Sequence, residues 1–409
     1  MCGESGADDR VRRCACRQSD DQRECRHAPR GARAAGGLTA IPLRLLHVYS
    51  GNLFGGVERL LVTLAATPAG AGLEHHVALC YEGRLNDELR GAGATVHMLA
   101  AARLSAPVVT WRARRALRRA IDCTAPDVIV CHGPWSLALF GGVARQRRVP
   151  LALWQHGPAG STVTDRMAAR HEPDVIICNS RYTASTLGNR YPRTQRQIIF
   201  NPVERPRPHE ASANRADVRR ELGVPPNTVL ITHVSRMESW KGHTALLEAL
   251  AKLTDVPNWR LVFVGGPQRE KEQRHFDTVR RTARTLGIAH RVACLGERRD
   301  VASVLMASDV YCQPNLSPEP FGIALVEALW MRLPVVATAQ GGPADIVDDT
   351  CGILVPPNDP DSLASALRRL CEDGACRAAM SNGAPARAAT LCDPAGRMAD
   401  LRAVLEPLC

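Results

Sequence analysis

Residues 43–66 read LRLLHVYSGNLFGGVERLLVTLAA. The first seven (43–49) form a short apolar run, the length of a strand buried on both faces. A glycine-rich loop follows at 50–56. VERLLVTLAA then repeats its apolar residues at helical spacing. Outward from this unit the order recurs. HHVALCY (75–81), TVHML (95–99), DVIVCH (127–132), LALWQH (151–156), DVIICN (174–179) and RQIIF (196–200) read as strands, most of them separated by helical patterns. Apolar strands alternating with helices predict a parallel sheet covered on both faces.

The proline-rich NPVERPRP at 201–208 breaks the pattern and reads as a linker. A second series follows: NTVLITHVS (227–235), a helix from about Lys241, WRLVFVGG (259–266), a helix over 270–286, RVACLG (291–296), DVYCQP (309–314), a helix from about Gly322, PVVAT (334–338) and GILV (352–355). The expected fold is α/β, with two doubly wound Rossmann-like domains facing across a cleft. The domains are placed at 41–203 and 204–385. Residues 386–409 are expected as a C-terminal helix that packs back on the first domain. Residues 1–40 are polar, Arg/Asp/Gly-rich and aperiodic, and read as a disordered extension or a misassigned start. Ligands of such sheets sit beyond the carboxyl ends of the strands, so the cleft is the expected site.

At about 150 residues per domain, 409 residues make two or three domains. Apolar residues at 45% and charged residues at 23% exclude a wholly disordered or collagen-like chain. No apolar run approaches the ~20 residues of a membrane span, and the first 40 residues show no signal-type apolar stretch. The net charge of +11 favours an anionic partner such as a nucleotide phosphate or an acidic lipid surface. Aromatic residues make up only 4%, and no basic stretch interleaves with stacking rings, so nucleic acid is not expected as a partner. The 15 cysteines are odd in number, many lie in apolar strands, and no C-x-x-C occurs, which predicts reduced, mostly buried thiols in a cytoplasmic protein.

The most specific stretch is SPEPFGIALVE, residues 317–327. Glu319 precedes a helix, Phe321 and Gly322 form the turn into it, and Glu327 lies inside it among apolar neighbours. A helix start offers unpaired N–H groups and a positive dipole end to phosphate or sugar oxygens. A carboxylate set among apolar residues calls for a partner.

EPFGIALVE resembles the E-x7-E motif of the retaining nucleotide-sugar glycosyltransferases of group 1 (family 4 type), which have the GT-B fold. VSRMESWKG, PVVATAQGGPADIV and GILVPPND resemble segments of the same family, and GGVERLL resembles the glycine-rich turn of its first domain. The resemblance spans about residues 43–385. It implies that Arg236 and Lys241 grip the donor diphosphate. Glu327 would hold the ribose, and Glu319, with the backbone of Phe321 and Gly322, the transferred sugar. Gly55 and Gly56 would approach the diphosphate across the cleft. His156 would be the reaction-centre histidine, with His132 as a second cleft residue.

It further implies an acceptor-side first domain and a donor-binding second domain. The donor would be a UDP- or GDP-linked sugar, the acceptor a glycan or lipid-linked hydroxyl, and the setting surface polysaccharide or glycolipid synthesis. Neither metal nor cofactor is implied. The one D-x-D, at Asp359 and Asp361, reads as a helix start capped by Asp361.

Two positions depart from the family pattern: Arg332 stands where glycine is usual, and Asp345 where glutamate is common. Arg332 keeps a second reading open, a non-catalytic nucleotide-sugar-binding or scaffold protein. Another GT-B enzyme, such as an epimerase or a phosphorylase, is a third. A phosphorylase needs a cofactor lysine, and only Lys241, Lys252 and Lys271 exist. Residues 111–122, WRARRALRRAID, read either as a packed helix with a solvated arginine face or as a basic amphipathic helix for the inner face of the cell membrane.

Overall fold

A computed structural model describes residues 42–51, 55–67, 72–206 and 214–409. The extension expected at 1–40, the centre of the first glycine loop (52–54) and the end of the linker (207–208) lie outside the described residues.

The first sheet is built from β1 (Leu43–Tyr49), β2 (Leu73–Leu79), β3 (Thr95–Met98), β4 (Val128–His132), β5 (Leu151–Gln155), β6 (Val175–Cys178) and β7 (Gln195–Ile198). The second holds β8 (Val229–Val234), β9 (Trp259–Val264), β10 (Val292–Cys294), β11 (Val310–Gln313), β12 (Val335–Thr338) and β13 (Gly352–Val355). The strand orders are β3-β2-β1-β4-β5-β6-β7 and β10-β9-β8-β11-β12-β13. Every strand pairing is parallel. The fold expected from the alternation is thus the fold observed, to within two residues at most strand ends.

Continuous apolar strands work here because helices cover both faces. β4, β5 and β6 are buried at every position. One core in the first lobe gathers Leu46, Ile129, Leu153 and Phe140, and a second on the opposite face gathers Leu45, Val130, Trp154 and Leu61. In each sheet the strand order reverses between two neighbours, β1/β4 and β8/β11. A crevice opens at such a reversal, and it fixes where each lobe can hold a ligand.

Two crossings join the lobes. Val203 N donates to Cys392 O at 2.9 Å, and Trp330 Nε1 donates to Val203 O at 2.9 Å, so the two crossings are tied together. After the helix Gly374–Cys392, the helix Pro394–Leu405 returns to the first lobe. Met398, Leu401 and Leu405 pack there with Leu43, Leu45 and Val128.

Candidate active site

The lobes enclose a cleft of about 1260 Å³. Gly55, Gly56, His156 and Asn179 line it from the first lobe; Arg236, Lys241, Glu319, Phe321, Gly322 and Glu327 line it from the second. Every site residue expected from the sequence reaches this one cleft except His132.

Arg236 follows β8 and contacts the buried Glu272, which stands in the first turn of the helix Glu270–Thr285. Glu238 lies 3.4 Å from the same guanidinium, and Glu272 also accepts from Gln268 N at 2.8 Å. Arg236 Nε is buried and has no partner among the described residues. Lys241 ends a 3-10 turn, Ser239–Lys241. Its ammonium sits 4.0 Å from the Trp240 ring centroid and donates to Glu319 Oε2 at 2.6 Å. That oxygen also accepts from Gln313 Nε2 at 3.0 Å and Asn315 Nδ2 at 2.7 Å. A buried carboxylate is tolerable here because three donors compensate it.

Two glycines permit this approach. Gly242 has φ +78°, and a Cβ there would overlap the Pro314 carbonyl. Gly341 has φ +73° and bridges to Glu319, where a Cβ would meet the Glu319 backbone. Only glycine fits such close contacts at positive φ.

The helix Ile323–Trp330 starts at the cleft, with Gly322 as its N-cap at φ +106°. Ile323 and Ala324, at its first turn, line the cleft. Glu327, further along, faces Arg59 of the first lobe at 3.5 Å. Gly56 packs across the cleft, where a Cβ would sit 3.6 Å from Ile323 Cδ1.

On the first lobe, Glu58 accepts from Gly55 N at 2.9 Å and from Tyr49 OH at 2.8 Å. It caps the helix Gly56–Ala66 and fixes the glycine turn. Burial pushes its carboxyl above the usual range. His156 follows β5; its Nε2 lies 2.8 Å from His132 Nδ1, and burial pushes its pKa down to about 3. His132 is buried and stands behind His156, outside the cleft lining. The sequence places His132 at the end of a strand but not on which side of its neighbour.

The D-x-D reading needs one correction. Asp359, not Asp361, caps the helix Pro360–Glu372, accepting from Ser362 N at 2.9 Å. Asp361 instead pairs with Lys252. The aspartate two residues earlier has the geometry to reach the first N–H groups. Among the described residues no three His, Cys, Asp or Glu side chains are grouped as a metal site.

Further contacts between the lobes were not foreseen. Asp345 accepts from Arg181 N at 2.8 Å and from Arg181 Nη1 at 3.0 Å. Ser180 Oγ donates to Pro320 O at 2.6 Å, beside Glu319. Arg84 meets Glu297 at 3.2 Å. The sequence marks Asp345 only as unusual; its partner is 164 residues away. Arg332 has φ +63°, so this cation occupies the left-handed turn for which glycine is suited. Its carbonyl accepts from Ser381 Oγ at 2.6 Å, and its guanidinium donates to Asn382 Oδ1 at 2.5 Å.

The fold is GT-B: two doubly wound lobes face across a cleft lined by cations and a helix start. Residues 214–387 match the family model Glycosyl transferases group 1, and residues 54–207 match Glycosyltransferase Family 4. The second lobe thus carries a group 1 glycosyltransferase domain and the first lobe a family 4 glycosyltransferase domain. It is similar to the D-inositol 3-phosphate glycosyltransferase of Corynebacterium kroppenstedtii, 40% identical over 174 residues, 41% of this chain and 38% of that one. It is also similar to that of Corynebacterium glutamicum, 30% identical over 226 residues, 53% of each chain. The chain thus matches about half or less of these relatives' length.

Among solved structures it resembles Anabaena HepE in complex with UDP and glucose, with TM-score 0.77 and 23% identity over 89% of this chain and 100% of that one. A glycosyltransferase from Rickettsia africae gives TM-score 0.77 and 19% identity over 90% and 98%. Both likenesses are of fold, and both support the GT-B architecture.

Proposed function

We propose that this protein transfers a sugar, with retention at the anomeric carbon, from a nucleotide-diphospho-sugar to a hydroxyl acceptor in surface polysaccharide or glycolipid synthesis. The observation that carries the reading is the convergence of Arg236, Lys241 and the helix start at Gly322 on one cleft, opposite Gly55, Gly56 and His156.

Departure of the nucleotide sheds negative charge onto its diphosphate. Two cations and a helix dipole aimed there stabilise that charge without a metal ion, and one such contact is worth ~10²–10³ in rate. The buried, unpartnered Arg236 Nε fits a ligand oxygen. Glu319, already neutralised by Lys241, is placed to accept from sugar hydroxyls rather than to attack the anomeric carbon. Glu327 would hold the ribose. HepE crystallised with UDP-glucose makes a uridine donor the first to assay, ahead of GDP-sugars. The relatives' name makes a phosphorylated inositol one acceptor to set beside lipid-linked ones.

The scaffold reading loses its motive, because Arg332 keeps the turn that glycine would form. Release of UDP, GDP or ADP from candidate sugar donors tests the proposal. Slow release that requires Arg236 and Lys241 supports it; tight donor binding without any release, in the presence of acceptors, contradicts it.

We further propose that the first lobe rests on anionic membrane. No described helix is long and apolar enough to cross a bilayer. On the helix Pro107–Thr124, however, Val108 is 63% and Trp111 54% exposed, beside exposed Arg112, Arg115 and Arg119. An exposed apolar pair flanked by cations suits a lipid surface. Co-sedimentation with anionic vesicles at low salt supports this contact, and its absence there refutes it.

A further inference from the structure

Four histidines on adjacent strands touch in sequence. They are His75 on β2, His47 on β1, His132 on β4 and His156 just past β5. His75 Nδ1 lies 2.9 Å from His47 Nε2, His47 Nδ1 lies 2.8 Å from His132 Nε2, and His132 Nδ1 lies 2.8 Å from His156 Nε2. Each link therefore joins an Nδ1 to an Nε2. The middle rings are sealed, with His47 0% and His132 3% exposed, while His75 and His156 at the ends are half-buried. Neither His156 Nδ1 nor His75 Nε2 is among the buried polar atoms lacking a partner.

A neutral imidazole carries one N–H and one acceptor nitrogen. Burial lowers the pKa of all four rings, His75 to about 4, so the chain is neutral at pH 7. With every link Nδ1 to Nε2, two proton arrangements satisfy all three hydrogen bonds: all four rings protonated on Nε2, or all four on Nδ1. Conversion takes a proton in at His156 Nδ1 and releases one from His75 Nε2.

The surroundings leave the chain undisturbed. Tyr49 meets His132 edge-on at 6.2 Å, but its hydroxyl is committed to Glu58. Trp154 stacks on His132 and His156 at 5.6 and 5.7 Å. From the covering helix Pro394–Leu405, the residues in this core are the apolar Met398, Leu401 and Leu405. His76, the next residue on β2, pairs instead with Glu74. Glu58, which caps the adjoining helix, bonds to Tyr49 and to Gly55 N rather than to a ring.

We propose that His75, His47, His132 and His156 form a proton relay between the reaction cleft and the outer end of the chain at His75. The relay rests on the sugar-transfer reading for its substrate. As the acceptor oxygen bonds to the anomeric carbon, its proton passes to His156 Nδ1. The proton on His156 Nε2 moves to His132 Nδ1, that on His132 Nε2 to His47 Nδ1, and that on His47 Nε2 to His75 Nδ1. His75 Nε2 then gives its proton to water. The sugar–phosphate bond breaks with its electron pair on the nucleoside diphosphate. Reverse passage resets the chain: His75 Nε2 takes a proton from water, and His156 Nδ1 gives one to a phosphate oxygen of the departing product. Only His156 touches the cleft; the other three act through it.

His75→Gln tests the relay. Glutamine can still hydrogen-bond His47 Nε2, but it cannot pass a proton through itself. The relay predicts that kcat falls about 100-fold, with the donor KM unchanged. It also predicts that the proton inventory in mixed H2O and D2O, curved in the parent, becomes linear. A kcat within twofold of the parent with an unchanged inventory overturns it. Side-chain 1H–15N correlation spectra of the parent protein decide the chain independently of turnover. One shared tautomer along the four rings supports it, and mixed tautomers overturn it. Failure of the parent to turn over any donor refutes the sugar-transfer reading and removes the relay's substrate, while the tautomer spectra still decide the chain itself.

Discussion

Lys241 Nζ lies 2.6 Å from Glu319 Oε2, and the same oxygen holds Gln313 and Asn315. The pair joins the turn after β8 to the approach of the helix Ile323–Trp330, so the proposed phosphate grip and sugar grip are one unit. Lys241→Met removes a charge from both. Its kcat should fall ~10²–10³-fold. Glu319→Gln keeps the shape and leaves Lys241 free to swing, and should raise the donor KM more than it lowers kcat. Steady-state kinetics on the identified donor separate the two; equal effects on both parameters would contradict the shared role.

Glu272 holds Arg236 in place without reaching the reacting atoms itself. Glu272→Gln should raise the donor KM about tenfold, while single-turnover rates at saturating donor change little. A buried ion pair broken on one side costs about 3–5 kcal/mol. The milder amide should cost less, and a urea titration measures it.

Asp345 and Arg181 latch the lobes, yet Arg181 is largely exposed. An exposed pair contributes about 0–1 kcal/mol. Asp345→Ala should therefore leave the urea midpoint nearly unchanged but open the cleft. Small-angle scattering would read a larger radius of gyration, and an unchanged radius would show that the latch does not hold the lobes.

Arg332 occupies a left-handed position that costs a non-glycine residue about 1 kcal/mol. Arg332→Gly relieves this and loses the bond to Asn382. Glycine's own entropic cost of about 0.5–1 kcal/mol offsets part of the relief, so a net stabilisation of at most about 0.5 kcal/mol is expected, with activity unaltered. A fall in stability would mean that the Asn382 and Ser381 contacts dominate.

Acid should unfold this protein early. Burial lowers the pKa of His47, His132, His156, His75, His233 and His243 in the folded state, to about 4 for His75 and about 3 for His156 and His243. Unfolded, each titrates near 6.5. The unfolded chain then binds more protons, so stability is complete above about pH 6.5 and is lost as pH falls toward the folded values. Each proton steepens the loss by about 1.4 kcal/mol per pH unit. Glu58, with its raised value, acts in the opposite direction but is a single group. Urea midpoints should stay level from pH 7 to 8 and drop steeply from 6.5 to 5.

Much of the architecture was legible because apolar runs such as VIIC, with Gly and Pro between them, report burial on both faces locally. The cleft cations Arg236 and Lys241 were legible through the resemblance of VSRMESWKG to a family segment. What could not be read depends on strand order. His75 neighbours His47, and His47 neighbours His132, only because β2, β1 and β4 lie side by side, which no local pattern states. Glu272 is one of two glutamates in its helix's first turn, and nothing in its spacing marks it as the partner of Arg236. Arg181 is one of 49 arginines and gains its meaning only when the lobes meet.

The central claim is that the second lobe receives the charge of the leaving nucleotide. A crystal structure with UDP, or with the nucleotide of whichever donor is turned over, tests it directly. The diphosphate should lie between Arg236, Lys241 and the backbone N–H groups at the start of the helix Ile323–Trp330. A diphosphate bound elsewhere, away from that turn and that helix start, would contradict the account.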